Sequence, residues 1–439
     1  MRFISTKSKT NPVSLADAIN RCVAPDGGLY MPETIPAIPK ALFNNIGDMN
    51  LKDIAFVVAT AFFDSEIPAH VLKNIVDESF VCDAPLVKVG DTYVLELFHG
   101  PTLTFKDYGA RFMARLMKYI DRRDTTPRRN VLVATMGNTG AAAANGLFKL
   151  DGISVCVLYP HGALTKIQTS QFTALGGNIH PVEIAGTVED CKHLVQAALA
   201  DPTLSDMHLT GANSINLARL IPQVTFAMYA YARLAAMGVH NAGQMQISIP
   251  CGNLSNLVAA SIARRMGLPM GPLVAATNAN NQLAPLLDGA DFGKMTHRPT
   301  RTITPSIDMS CPSGWPRLYH LYDGDLARMR NDITVAPAVS DDEVRATVNA
   351  VRERFGYSFD THGALAYAAV QTAADTSVPK VVFATGHPAK QPEIITDITG
   401  REPGRPEQMK QFSLERRHST IIPPTLPALR KHLYIINNQ

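Results

Sequence analysis

From about Tyr93 onward the chain alternates short β-branched runs with longer segments of helical period, and this alternation restricts the fold more than any other feature. "NVLVAT" precedes "NTGAAAANGLFK", "ISVCVLYP" precedes "LTKIQTSQFTAL", and "NIHPVEI" precedes "VEDCKHLVQAALA". Such repeats build βαβ units and a parallel sheet, because parallel neighbours need a crossover long enough to hold a helix. After an apolar helix, "NLARLIPQVTFAMYAYARLAAM", the alternation resumes with "MQISIP" and "NLSNLVAASIARRM". "VRERFGYSFDTHGALAYAAVQTAA" reads as helical, and "KVVFATG" reads as one more buried strand. The first 90 or so residues differ, with the helical patches "SLADAINRCV", "LKDIAFVVATAFF" and "AHVLKNIVDESF" set among Pro-rich turns. The expected fold class is α/β: two open parallel-sheet α/β domains preceded by an N-terminal mostly helical domain. The expected boundaries are 1–90 for the helical domain, 91–129 with 214–400 for one α/β domain, 130–213 for a smaller one, and 401–439 for a tail. The tail opens with "REPGRPEQMKQFSLERRHST", whose polarity and charge predict a solvated surface segment.

Composition removes several classes of function. The 439 residues carry 41 Lys+Arg against 38 Asp+Glu, a net charge of +3 with no long basic run, so neither nucleic acid nor an acidic membrane is an expected partner. Apolar stretches fall short of the ~20 residues that cross a bilayer. The N-terminal "MRFISTKSKTNPVSLADAI" lacks the apolar core and cleavage site of a secretory signal, so the mature protein is expected to start at or near Met1. Cys22, Cys82, Cys156, Cys191, Cys251 and Cys311 stand apart, without C-x-x-C spacing, which predicts a reducing cytoplasm. His99, His362 and His387 lack the spacing of metal ligands, and hydrogen bonding or packing is the expected role of each; no metal is predicted.

Three glycine-rich turns sit where a buried strand meets a helix: Ala134 to Ala144, Ile249 to Ala260, and the weaker Phe383 to Lys390. Ligands of open α/β sheets bind at the carboxyl ends of strands. Free N–H groups at a helix N-terminus attract anions, and glycine lets the anion approach the backbone. One such turn alone is a tight turn and nothing more; two with asparagine inside suggest two anions. Neither matches G-x-G-x-x-G or G-x-x-x-x-G-K-S/T, so dinucleotide and P-loop readings have no support. Lys106 opens a helix whose apolar face includes Phe112, Leu116 and Tyr119. Burial and the positive end of the helix both lower a lysine pKa, and a neutral amine can form a Schiff base. Taken alone, however, Lys106 reads as a surface lysine. Asp107 reads as support for the helix start rather than as a base, and Trp315 as a packed loop anchor.

Resemblance changes the reading of Lys106. "HGPTLTFKDYGARF" resembles the HGPT-x-A/S-FKD cofactor-lysine motif of threonine synthases, pyridoxal-phosphate enzymes with the tryptophan-synthase β-subunit type of fold, fold type II. Further matches follow in the family's order: "TMGNTGAAAA", "LGGNI", "GANSINLARL", "PCGNLSNL", "AATNANNQL", "SIDMSCPSGWPR" and "ATGHPAKQ". The resemblance implies pyridoxal 5'-phosphate held by Lys106, which also shuttles protons. It implies that Gly252, Asn253, Leu254, Ser255 and Asn256 cradle the cofactor phosphate, that Thr385 lies beside the pyridine nitrogen, and that Asn138 lies against the 3'-oxygen of the ring. The backbone from Thr135 through Met136, Gly137 and Asn138 to Thr139 would take the substrate carboxylate; Thr102, Asn213 and Ser214 would line the substrate. Arg219 would take a distal anionic group bidentately. The implied enzyme is a carbon–oxygen lyase of threonine biosynthesis that turns O-phospho-L-homoserine and water into L-threonine and phosphate. Its expected partner is a small amino-acid substrate, its expected state a monomer or homodimer, and its 130–213 domain the mobile one.

Departures from the family pattern cluster near the implied pocket. Met136 stands for Ser, Asn138 for Asp, and Ala163 for Lys, with Lys166 three residues on. Leu254 and Ser255 stand for Phe and Gly, Gly314 for Asn, Thr361 for the Pro before His362, and Gln391 for Phe. Two alternatives therefore stand beside threonine synthesis. One is a paralogue performing β- or γ-elimination or replacement on another anionic amino acid, such as a phosphonate; the other is a non-catalytic binding or regulatory homologue.

Overall fold

The protein is described by a computed structural model, covering residues 1–122, 129–295, 298–412, 414 and 418–437. At the N-terminus β1 (Phe3–Ser5) pairs antiparallel with β2 (Tyr30–Pro32). The helices Leu51–Phe63 and Ala69–Ser79 follow; the first begins at a capping box in which Asn50 and Asp53 satisfy each other's backbone N–H. Their buried faces, including Ile54, Val58, Leu72 and Val76, join the same apolar core as the sheets that follow.

The chain next forms β3 (Leu86–Val89) and β4 (Thr92–Glu96), then β5 (Arg129–Ala134), β6 (Ile153–Pro160), β7 (Ile179–Ile184) and β8 (Leu209–Gly211). After these come β9 (Gln246–Pro250), β10 (Leu273–Ala276), β11 (Ile333–Val335), β12 (Lys380–Ala384) and β13 (Thr420–Ile422). Two larger sheets result. One has the order β11-β10-β9-β12-β4-β3, parallel except for β3. The other, β13-β7-β6-β5-β8, is parallel throughout. All eight residues of β6 and all five of β12 are buried, as parallel strands covered on both faces require. In the first sheet β9, β12 and β4 are neighbours, so the loops leaving their carboxyl ends emerge side by side.

Helix Lys106–Asp121 packs against helix Asn138–Leu147, and glycine permits the approach: a Cβ on Gly146 would lie 3.0 Å from the Ala110 carbonyl carbon. Three expectations are corrected. The apolar segment after Asn216 is a short helix, Leu217–Leu220, a 3-10 turn at Pro222, and then Val224–Ala236, because proline lacks the N–H that would continue the helix. The single helix expected over "VRERFGYSFDTHGALAYAAVQTAA" is two, since Gly356 ends Asp341–Phe355 in the left-handed conformation and Asp360 caps Thr361–Ala373. Finally, the chain beyond residue 418 is not surface tail. Strand β13 extends the all-parallel sheet, and helix Leu426–Asn437 buries Leu429, Leu433 and Ile436 in its core. The charges Glu415 to Arg417 lie outside the described residues. No described helix is long and apolar enough to cross a membrane.

Candidate active site

The loop from β4 to Lys106 is held in a tight, partly strained shape. Leu103 has φ +57°, a left-handed value that side-chain-bearing residues rarely adopt, and its N–H donates to the Gly100 carbonyl at 3.0 Å. The buried Asp107 carboxylate accepts from the Thr102 hydroxyl at 2.5 Å and the Thr102 N–H at 2.8 Å. A side chain at position 100 would strike this carboxylate, which explains the glycine. Asp107 thus organises the turn before the helix, and Thr102 spends its hydroxyl on it.

Lys106, the first residue of the helix, donates from Nζ to the Thr139 hydroxyl at 3.0 Å. Burial is the main cause that pushes its amine down to about 7, and the positive charges of Arg219 and Lys390 add to it. Arg219 is itself lowered to about 10 by burial, and its guanidinium donates to the Ala212 carbonyl at 2.6 Å. Lys390 is lowered to about 8 by burial and donates to the Thr102 carbonyl at 2.7 Å and to Gln171 Oε1 at 2.6 Å. Burial likewise raises the Asp107 pKa. Two buried cationic side chains, Arg219 and Lys390, therefore lie near the buried Asp107 carboxylate, with the Lys106 amine close to both. Such an excess favours an anion.

At the end of β5, the Thr135 hydroxyl accepts from the N–H groups of Gly137 (2.9 Å) and Gly140 (2.8 Å), closing the turn in front of Asn138–Leu147. Gly137 stands at φ +109°, which only glycine tolerates readily. Asn213 is engaged at both ends with Ala134, accepting from its N–H at 3.1 Å and donating to its carbonyl at 2.9 Å. Met136 is exposed beside this turn. Asn138 reaches toward Ser306 with its amide at 3.4 Å, while its buried Oδ1 has no partner.

The loop after β9 supplies a cradle. The N–H groups of Gly252, Asn253 and Leu254 have no backbone or side-chain acceptor among the described residues. Asn253 shapes the loop: its Oδ1 accepts from Ser255 N–H at 3.1 Å, its Nδ2 donates to the Ser214 hydroxyl at 2.6 Å, and its carbonyl accepts from Gly314 N–H at 2.8 Å. Leu254 adopts φ +68° at the start of helix Ser255–Arg265. The buried Asn256 Oδ1 is also unpartnered. Thr385, at the end of β12, accepts at its carbonyl from Phe105 N–H (3.1 Å) and Thr104 Oγ1 (3.2 Å), while its hydroxyl has no partner among the described residues. Free N–H groups at a helix start suit a phosphate, an unpaired hydroxyl suits a ring nitrogen, and a neutral amine suits a carbonyl carbon; these residues fit pyridoxal 5'-phosphate.

Several departures acquire reasons. Gly314 lies where a Cβ would stand 2.4 Å from the Asn253 carbonyl. Thr361 and Gln391 pair with each other, hydroxyl to Oε1 at 2.9 Å in the buried interior, so the two changes compensate. Ala163 and Lys166 are both exposed. Of the histidines, His362 binds Asp360 through Nδ1 at 3.0 Å and accepts from Ser306 N–H at 3.1 Å, and His387 accepts from Ala389 N–H at 3.0 Å. Lys390, Gln171 and Ser306 had no assigned role in the sequence; the "ATGHPAKQ" match, which contains Lys390, was the available signal for that residue. A cavity of about 1150 Å³ beside Arg21, Lys118 and His208 is lined by none of these site residues, and the chemistry rather than the volume locates the site.

Known proteins resemble this chain over its full length. A pyridoxal-phosphate dependent enzyme model matches residues 84–386, a threonine synthase N-terminus model residues 2–80, and a threonine synthase C-terminal model residues 363–433. The threonine synthase of Serratia marcescens is 34% identical over 435 residues, 99% of each chain. The chain belongs to the threonine synthase family. The threonine synthase of Escherichia coli K12 is 33% identical over 98% of this chain and 99% of its own. Its crystal structure superposes with a TM-score of 0.91 at 31% identity, covering all of both chains. A PLP-bound threonine synthase structure from Brucella melitensis gives a TM-score of 0.91 at 30% identity, again over both whole chains. As a member of this family the chain is a pyridoxal-phosphate-dependent lyase of fold type II.

Proposed function

We propose that the protein converts O-phospho-L-homoserine and water to L-threonine and phosphate, with pyridoxal 5'-phosphate carried by Lys106. The observation that carries this reading is the Lys106 amine, lowered to about 7 by burial and by the charges of Arg219 and Lys390 and donating to Thr139. When bound, the cofactor supplies an electron-withdrawing ring that stabilises negative charge on substrate carbons near the amino group. The protein's residues do the rest. Near neutral pH, Lys106 exists in both protonation states, so one amine can take a proton from one substrate carbon and return it to another. Thr139 accepts from that amine and fixes its direction. Thr385 offers the ring nitrogen a neutral hydroxyl, and the Gly252 to Leu254 N–H groups hold the cofactor phosphate. Arg219 and Lys390 give the buried excess of positive charge that draws in the substrate's phosphate and carboxylate. The Cγ–O bond breaks with its electron pair leaving on phosphate, a proton is taken from Cβ and one is delivered to Cγ by Lys106, and water's oxygen bonds to Cβ while its remaining proton goes to the released phosphate.

The boundaries 91–129 with 214–400 and 130–213 describe two units that we propose close on the substrate, excluding water from reactive species. Hydrogen bonds that link them include Lys106 to Thr139, Lys390 to Gln171, Arg219 to the Ala212 carbonyl, and Asn138 to Ser306. All six cysteines are unpaired, which supports a reducing cytoplasm, and we propose a monomer or homodimer there. The test is incubation of the cofactor-loaded protein with O-phospho-L-homoserine. Equal amounts of phosphate and L-threonine are expected; no turnover with an intact Lys106–cofactor absorbance contradicts the reading and favours another anionic amino acid.

A further inference from the structure

A second cavity, about 390 Å³, lies behind the two turns that carry Lys106 and Thr385, and no role has been assigned to it. Its floor is aromatic: Phe98 and His387 meet edge to face with ring centroids 5.4 Å apart. Burial pushes His387 down to about 4, so the floor is uncharged at neutral pH. Glu96, also in the wall, is already committed, accepting from the Tyr357 hydroxyl at 2.8 Å and paired with His99 Nε2 at 2.7 Å. The remaining charged groups of the wall are free. Arg352 is half-buried and Arg401 and Glu402 are exposed at the cavity's rim, and among the described residues their guanidinium and carboxylate groups make no ion pair or side-chain hydrogen bond.

We propose that this cavity is a regulatory site for an α-amino acid with an apolar side chain. Its carboxylate meets Arg352 and Arg401, its ammonium meets Glu402, and its side chain rests on Phe98 and Ile395. Two cations and one anion around an apolar floor match a zwitterion with an apolar tail, and match neither a bare cation nor a polyanion. Coupling to the active site is built into the backbone. Phe98 and His99 lie on the segment that leads to Thr102 and Lys106, and His387 follows Thr385 by two residues. These turns are joined by His387 N–H to the Leu103 carbonyl and Phe105 N–H to the Thr385 carbonyl, both at 3.1 Å, and by the Thr104–Gly386 bridge. A ligand that prefers one arrangement of the floor biases both turns, and the substrate then biases the cavity to the same degree.

The test is calorimetry on the holoenzyme with L-leucine as the probe, after borohydride reduction of the Lys106 linkage so that leucine cannot react at the active site. One saturable site per chain is expected, weakened at least tenfold in Arg352→Met and in Arg401→Met, with the melting temperature of each variant unchanged. Glu402→Gln is expected to weaken L-leucine but to leave 4-methylpentanoate, which lacks the ammonium, unaffected. The proposal is overturned if millimolar L-leucine gives no saturable heat, or if binding survives both arginine substitutions. The readout does not depend on which substrate the enzyme turns over.

Discussion

At the scale of the residue, the site works by crowding like charges where water cannot screen them. Lys106 is shifted down to about 7, so that its neutral and protonated forms coexist near neutral pH, because burial, Arg219 and Lys390 all oppose its protonation. Its reactivity in the cofactor-free protein is therefore expected to rise with pH through about 7, rather than through the ordinary lysine range, as the protonated amine gives way to the free one. Absorbance stopped-flow with added pyridoxal 5'-phosphate measures this. Lys390→Met removes one opposing charge and should move that midpoint upward; an unchanged midpoint contradicts the electrostatic account. Lys106→Ala should lose about 10²- to 10⁴-fold or more of turnover, as removal of a positioned proton-transfer group does, with an unchanged circular dichroism spectrum. In the sequence the role proposed for Lys106 rests on its motif alone, since helical periodicity described a surface lysine. Lys390 stood inside the "ATGHPAKQ" match and Ser306 at the head of "SIDMSCPSGWPR", both without a role, because what defines them is a partner far along the chain: Thr102 for one, Asn138 for the other.

At the scale of the element, the parallel strands were readable because burial on both faces writes itself as unbroken apolar runs, as in β6 and β12. Breaks inside apolar helices were harder to see, since Pro222 and Gly356 interrupt hydrophobic patterns that continue on both sides. Substitutions that report on element contacts follow from the same geometry. In Gly109→Ala the new Cβ would lie 2.8 Å from the Arg219 carbonyl, and the helix must shift to admit it. A loss of about 1–3 kcal/mol in denaturant unfolding is expected, with a larger loss of turnover because the same shift displaces Lys106. The Thr361–Gln391 pair makes a separate prediction. Either Thr361→Ala or Gln391→Ala alone should destabilise by about 1–3 kcal/mol, while the double substitution costs less than their sum. Strict additivity in a double-mutant cycle contradicts the view that these two departures compensate.

At the scale of the whole molecule, the chain's C-terminus closes a sheet begun hundreds of residues earlier, with β13 beside β7 and the Leu426–Asn437 helix over the same core. The spacing of Leu429, Leu433 and Ile436 is that of an amphipathic helix, but the long polar stretch before it hid this pattern from the sequence reading. Truncation after His418 should therefore lower the melting temperature and expose apolar surface to dye binding; a fully stable truncated chain contradicts that role. The central claim concerns which bonds the assembled molecule breaks and makes. It is tested most directly by turnover of O-phospho-L-homoserine in ¹⁸O-labelled water, with threonine and phosphate analysed by mass spectrometry. Threonine carrying one heavy oxygen, with unlabelled phosphate, is the predicted result, because water adds at Cβ and phosphate leaves with its own oxygens. Homoserine together with labelled phosphate, the signature of simple ester hydrolysis at phosphorus, contradicts it.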